Sequence, residues 1–252
     1  MSTQPDSPVI QIENLEAFYG KGAKRLHALK GISFQVHPGE CVGFIGANGA
    51  GKSTTLKILM GFRFPDAGSA YVFGEPAGAA SSRERIGYLP EVALYYPFMK
   101  ARELLELYGG LSGLSRFQLK ERIPALLDDV GLTGRGDDLL KTFSKGMQQR
   151  LGIAQSLIAH PDVLIYDELS SGLDPMGRHD LREILHRLKA EGRTVFFSSH
   201  ELGEVESLCD RVIMIHQGNI LRDGCLEDLK AECGQRSLEE FYIQTLQEES
   251  QA

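Results

Sequence analysis

The 252-residue sequence contains no stretch of about 18 consecutive apolar residues, the length needed to cross a bilayer as a helix. No segment is therefore expected to span a membrane, and any action at a membrane would have to pass through a partner. The N-terminal MSTQPDSPVI has neither a basic n-region nor an apolar h-region, so no signal peptide is expected. Residues 1–8 are polar with two prolines and are expected to be disordered. Cysteine is scarce, at positions 41, 209, 225 and 233, and no two form a C-x-x-C pair, which argues against metal and redox motifs. Reduced thiols in the cytosol are the simple expectation, with Cys41 a small core residue. An excess of positive charge is missing too. The net charge of −7 argues against nucleic acid as a partner. There is no internal repeat and no low-complexity tract, and a hydrophobic content of 42% is enough for a sizeable core in one large domain or two small ones.

What the chain does have is the octet GANGAGKS, residues 46–53, which fits G-x-x-x-x-G-K-[ST] at Gly46, Gly51, Lys52 and Ser53. An apolar run at 41–45 precedes it and a helix-like run at 54–60 follows. Strand, glycine loop and helix start, in that order, set backbone N–H groups around an anion. A Cβ would block the approach of phosphate oxygens and the turns with positive φ, hence the glycines. Lys52 is expected to reach the β- and γ-phosphates of ATP, and Ser53 to place its hydroxyl on Mg²⁺.

Along the rest of the chain, strands are expected at 9–19, 27–36, 69–73 and 85–89, with turns at 37–40 and 64–68. Apolar residues then recur at helical spacing over 101–111, 115–130 and 144–159, so 91–160 reads as a helical insertion. Pro124 marks a kink or a helix start within it. Strands return at 163–166 and 194–197, separated by a helix at 177–191. A short helix follows at 202–208. Segments 211–216 and 219–222 flank Gln217-Gly218 as a hairpin. From residue 226 the tail is helical and acidic. Strands alternating with helices imply a mostly parallel sheet, whose ligands sit at the carboxyl ends of the strands.

The polar residues of interest all fall at such ends. Four apolar residues lead into Asp167-Glu168, and an apolar strand leads through two serines into His200. The run ending in Asp167-Glu168 resembles the second nucleotide motif of phosphate-loop ATPases, which implies that Asp167 holds Mg²⁺ through its water shell; a plain strand end with solvated carboxylates is the alternative. Glu168 would lie nearer the γ-phosphate and polarise an attacking water. His200 is either a γ-phosphate contact or a structural histidine.

Residues 143–150, FSKGMQQR, stand directly before a helical run and the VLIYDE segment. Together with the glycine loop, the Asp167-Glu168 pair, SSGLDP at 170–175 and Ser199-His200-Glu201, they resemble the ordered motifs of the ATP-binding cassette (ABC) family, whose signature is LSGGQ-x-x-R. Ser144, Gly146 and Arg150 match that signature, while Lys145 and Met147 depart from it. The resemblance covers about residues 9–225. It implies an α/β fold: a phosphate-loop NTPase core with a mostly parallel sheet, an N-terminal antiparallel β subdomain and an inserted α-helical subdomain. Residues 226–252 form a helical tail outside it.

The resemblance further implies an ATPase with ATP and Mg²⁺ as cofactors. The loop positions Gly46, Asn48, Gly49, Ala50, Gly51, Lys52, Ser53 and Thr54 would bind nucleotide. Tyr19 would stack on adenine, with Phe18 as the nearby rival. Glu91 stands where the family has a glutamine that senses Mg²⁺ and the attacking water, or is a plain loop residue. Ser144 and Gly146 would form a second anion cradle aimed at the ATP of another subunit. A homodimer or heterodimer around two ATP is therefore implied, with a separate integral membrane subunit, a cytoplasmic position at the inner face of the membrane, and export as the direction. The segment 95–99, aromatic with a methionine, is either the surface that receives the membrane subunit or part of the helical domain's core. The competing readings are a soluble cassette ATPase acting on DNA or ribosomes, and a regulatory nucleotide-binding module with low turnover.

Overall fold

The computed structural model describes residues 7–20, 22, 25–232 and 237–249. Residues 1–6, Cys233 and the last three residues of the expected tail lie outside the described residues. Two sheets form the scaffold. The first is antiparallel, in the order β2-β1-β4-β5, from β1 (Ile10–Tyr19), β2 (Leu26–Val36), β4 (Ala67–Val72) and β5 (Glu75–Pro76). The second has six strands in the order β10-β9-β3-β8-β7-β6, from β3 (Cys41–Ile45), β6 (Ile86–Leu89), β7 (Val163–Asp167), β8 (Thr194–Ser199), β9 (Arg211–His216) and β10 (Asn219–Cys225). Its inner pairings are all parallel, and only β10 runs antiparallel, on β9.

The central strands CVGFI, VLIYD and TVFFSS are buried along their whole length, as strands covered on both faces must be. Their side chains alternate between two cores. Val42, Phe44, Val163, Ile165 and Phe196 face the antiparallel sheet and the helix α1 (Lys52–Leu59). Phe34, Phe44 and Phe196 join the two sheets through ring centroids 5.5–5.7 Å apart. Cys41, Ile45, Leu164, Tyr166 and Phe197 face the other way, onto the helices. Cys41 is thus the core residue that its apolar run suggests.

After the four-residue α2 (Ala80–Arg83) and β6 come three helices, α3 (Ala101–Leu111), α4 (Arg116–Asp129) and α5 (Lys145–Leu157). Pro124 marks no helix start, because α4 runs through it. The start is fixed upstream by Ser115, which accepts from the Gln118 N–H while the Gln118 side chain bonds the Ser115 N–H. Buried Leu119, Ile123, Leu126 and Leu127 hold the helix together despite the backbone hydrogen bond lost at the proline. Three further helices cover the sheet, α6 (Pro175–Ala190), α7 (Leu202–Leu208) and α8 (Leu226–Glu232), and α9 (Leu238–Glu249) packs on α7 and α8. The β9–β10 hairpin turns at Gln217 and Gly218, both with positive φ, of 45° and 84°. The strand expected at 69–73 ends one residue early, because Phe73 takes φ 55°. The elements β5 and α2 are too short to leave a periodic signal.

Candidate nucleotide site

Strand register assembles the site. Ile45 pairs with Ser199 across β3 and β8, and Asp167 pairs with Ser198 across β7 and β8. The residues that follow, Gly46, Glu168 and His200, therefore emerge side by side at the carboxyl edge of the sheet. An open cleft of about 550 Å³ lies there, lined among others by Tyr19, Asn48, Lys52, Glu91, Glu168 and His200. Gly49, Gly51, Ser53 and Thr54 also line it.

The loop at 46–53 can pass this point only with glycine. A Cβ on Gly46 would stand 2.3 Å from the Ile215 carbonyl oxygen. Gly51 takes φ 121°, and a Cβ there would meet the Leu29 side chain at 2.7 Å. The loop then runs into α1, whose first-turn N–H groups have no intrahelical acceptor and present positive partial charge to an anion. Gly46 and Ala50 do not line the cleft. Both are buried, and Ala50 is turned into the loop's own bonding. Its N–H donates to Ala47 O at 3.1 Å, and its carbonyl accepts from the Gly218 N–H at 2.9 Å.

The charged groups form one connected set. The Lys52 ammonium donates to Gly46 O at 2.5 Å and lies 3.0 Å from Glu168 Oε1. Nδ1 of His200 bonds Glu168 Oε2 at 2.5 Å. Ser198 donates its hydroxyl proton to Asp167 Oδ1 at 2.6 Å, and its Oγ accepts the Glu168 N–H at 3.0 Å. Ser53 donates to the same Asp167 oxygen at 3.3 Å. Glu168 takes φ 50°, a left-handed conformation that costs a non-glycine residue about 1–3 kcal/mol and is held by these bonds. Burial first, and the Asp167 charge second, push the Tyr88 hydroxyl up to about 12.

Ser198 is a residue whose role sequence reasoning missed. It appeared only as one of two serines before His200, and its register opposite Asp167 is a property of the sheet. The two aromatic candidates separate cleanly. Phe18 is covered by stacked His27 (centroids 4.0 Å apart) and by Arg25 at 3.7 Å. Tyr19 lines the cleft, bonds Thr54 through its hydroxyl at 3.3 Å, and carries Arg63 at 4.3 Å from its ring centroid. Glu91 is exposed at the cleft edge. In segment 95–99, Tyr96 and Phe98 are exposed with ring centroids 5.7 Å apart, whereas Tyr95 and Met99 pack on the core.

Ser144 and Gly146 are not brought into this cleft. Ser144 caps α5, its Oγ accepting the Met147 N–H at 3.2 Å. With Gly146, Arg150, Asp174 and Gly177 it lines a separate hollow of about 320 Å³. Lys145, where the signature has glycine, folds against Gly172. Its Nζ sits 2.3 Å from where a Cβ on Gly172 would be.

The donor set fits a nucleoside triphosphate. It offers a glycine loop held tight against β9, a helix N-terminus, a buried ammonium and an aromatic ring at the rim. It also fits Mg²⁺, which takes oxygen ligands, commonly one or two carboxylates together with substrate phosphates. Ser53 and Asp167 are the oxygen donors in place.

The chain is similar to known proteins along most of its length. The ABC transporter family model matches residues 29–171. An uncharacterized ABC transporter ATP-binding protein of Nostoc sp. is 41% identical over 91% of this chain and 70% of its own length. The Nod factor export ATP-binding protein I of Ralstonia nicotianae is 38% identical over 86% of this chain and 67% of its own. Among solved structures, an ATP-binding subunit of an ABC transporter superposes with a TM-score of 0.82 at 32% identity, covering 94% of this chain and 99% of that one. A bacterial ABC transporter cassette solved as a dimer gives a TM-score of 0.78 at 25% identity, covering 86% and 98%. The chain belongs to the ABC transporter family, as one of its ATP-binding, ATP-hydrolysing subunits.

Proposed function

We propose that the chain drives export through a separate integral membrane subunit, closing with a second cassette around two MgATP and reopening after hydrolysis. One observation carries this reading. Lys52, Ser53, Glu168 and His200 line one cleft, with buried Asp167 bonded to Ser53 behind it, while the Ser144 cradle opens elsewhere on the surface. A single subunit then holds two unlike half-sites, and a second copy or a paralogue would complete each. In this scheme the phosphate loop and Lys52 hold the β- and γ-phosphates, and Tyr19 offers its free face to adenine. Ser53, Asp167 and Glu91 would hold Mg²⁺, which when bound would supply positive charge against the phosphates. Glu168 orients and activates the water, and His200 holds the Glu168 carboxylate. The cassette itself spans about residues 9–225, with the helical insertion at about 91–160, and residues 226–252 form an appended tail.

Export and the membrane partner are supported by the relative described as a Nod factor export protein. Among the described residues no helix is long and apolar enough to cross a membrane. The exposed pair Tyr96 and Phe98 is the surface we assign to that chain. A position at the inner face of the cell membrane, in the cytoplasm where ATP is made, follows from these roles. A pull-down from detergent-solubilised membranes is expected to bring down an integral membrane protein in a nucleotide-dependent way. Salt-sensitive binding to nucleic acid without any membrane partner would overturn the transport reading.

A further inference from the structure

We propose that Tyr242, on the C-terminal helix α9, is a positioning residue for the nucleotide site: it braces the phosphate loop from outside the cleft. The inference rests on reading the cleft as an ATP site. The Tyr242 hydroxyl oxygen accepts the Ala47 N–H at 3.2 Å, across 195 residues of sequence. That N–H and the Gly46 carbonyl belong to one peptide group. The carbonyl end accepts from the Lys52 ammonium at 2.5 Å. A peptide group is planar and moves as a unit, so Tyr242 and Lys52 hold it from opposite ends. A hydrogen bond at one end also polarises the group and strengthens the bond at the other.

The loop therefore has two external struts. The Gly218 N–H, from the β9–β10 hairpin, donates to Ala50 O at 2.9 Å and fixes the second half. Tyr242 fixes the first half, beside exposed Asn48 and Gly49. The tail is built to hold its strut still. Leu238, Phe241 and Thr245 bury one face of α9, Ser237 and Glu240 form a capping box at its start, and Arg222 of β10 meets Glu248 at 3.2 Å. Burial raises the Tyr242 pKa above its ordinary value, against the opposing pull of the Ala47 bond, so the hydroxyl stays neutral at pH 7. A loop ordered before ATP arrives spends less binding energy on ordering.

The test is Tyr242→Phe in the full chain, which keeps the ring and removes one oxygen. Its readouts are the Kd for ATP by calorimetry, the KM and kcat for ATP turnover, and the melting temperature. We expect Kd and KM to rise about 3- to 10-fold, the equivalent of one hydrogen bond. kcat should stay within about twofold, since Tyr242 touches no reacting atom. Thr245→Val perturbs the same helix without touching the loop and should leave Kd unchanged. Unchanged Kd in Tyr242→Phe overturns the proposal, as does a fall in kcat at constant KM. An equal shift of Kd in Thr245→Val overturns it too, because the effect would then be general to the helix. Lys52→Ala run in parallel separates the two levels. If it fails to weaken ATP binding, the site reading itself is wrong. If it weakens binding while Tyr242→Phe does not, only the brace is.

Discussion

Lys52 and Glu168 form a buried ion pair, 3.0 Å from Nζ to Oε1, with side-chain exposures of 4% and 8%. The two motifs that supply them are more than a hundred residues apart, yet each neutralises the other inside the protein. Removing one partner of a buried pair leaves an uncompensated charge, at a cost of about 3–5 kcal/mol. Lys52→Ala is therefore expected to lower stability by roughly 3 kcal/mol in a urea melt. ATP binding should weaken at least about tenfold, from the lost charge-assisted contact. Wild-type stability together with wild-type affinity would contradict both roles of the residue.

Glu168→Gln is expected to behave differently. The Gln amide oxygen can still accept from Lys52, and the backbone at Glu168 stays tied to Ser198. Nucleotide binding should survive while steady-state phosphate release falls about 10²- to 10⁴-fold, the range for loss of a general base. A dimer trapped with ATP is the expected species in gel filtration. Unchanged turnover would remove Glu168 from its role.

Ser198→Ala tests the hinge between the two carboxylates. One hydroxyl donates to Asp167 and accepts from the Glu168 N–H, at 2.6 and 3.0 Å. Its loss leaves a buried carboxylate oxygen with one donor fewer and a strained Glu168 with one bond fewer. A destabilisation of about 1–3 kcal/mol is expected. The Mg²⁺ concentration giving half-maximal turnover should also rise, because Asp167 loses the bond that orients it. Unaltered Mg²⁺ dependence would place Asp167 away from the ion.

Glu204, in the first turn of α7, supplies a pH test. Burial raises its pKa above the ordinary 4.5, and this outweighs the Ser170 hydrogen bond and the Arg178 and Arg182 charges. The folded chain thus holds this proton more tightly than the unfolded one. Its penalty is absent at low pH and grows as pH rises from about 4.5 through the folded value. Glu204→Gln should accordingly melt higher than wild type at pH 7 and at about the same temperature as wild type at pH 4. A gain that is equal at both pH values would mean that ionisation is not its source.

The sequence made the site's ingredients legible because each lies within a few residues of a strand end. GANGAGKS, Asp167-Glu168 and His200 each follow an apolar run that reads as a buried strand. The sheet brings together what the motifs could only order along the chain. The rest was not legible because it depends on register or on long-range packing. Ser198 matters because it faces Asp167 across two strands. Tyr19 lines the cleft, whereas His27 and Arg25 cover the Phe18 ring. As a helix start Pro124 misled, because a local breaker signal was outweighed by four buried side chains on α4. Tyr242 left no local sign at all, since its partner lies 195 residues away.

The central claim is that one subunit carries half of each nucleotide pocket, and the dependence of turnover on protein concentration tests it most directly. Phosphate release per chain at saturating MgATP should rise with concentration as dimers form, tracked by sedimentation. Ser144→Arg should abolish that rise while leaving ATP binding to the cleft intact. A constant rate per chain from a strict monomer, or full turnover in Ser144→Arg, would contradict the account.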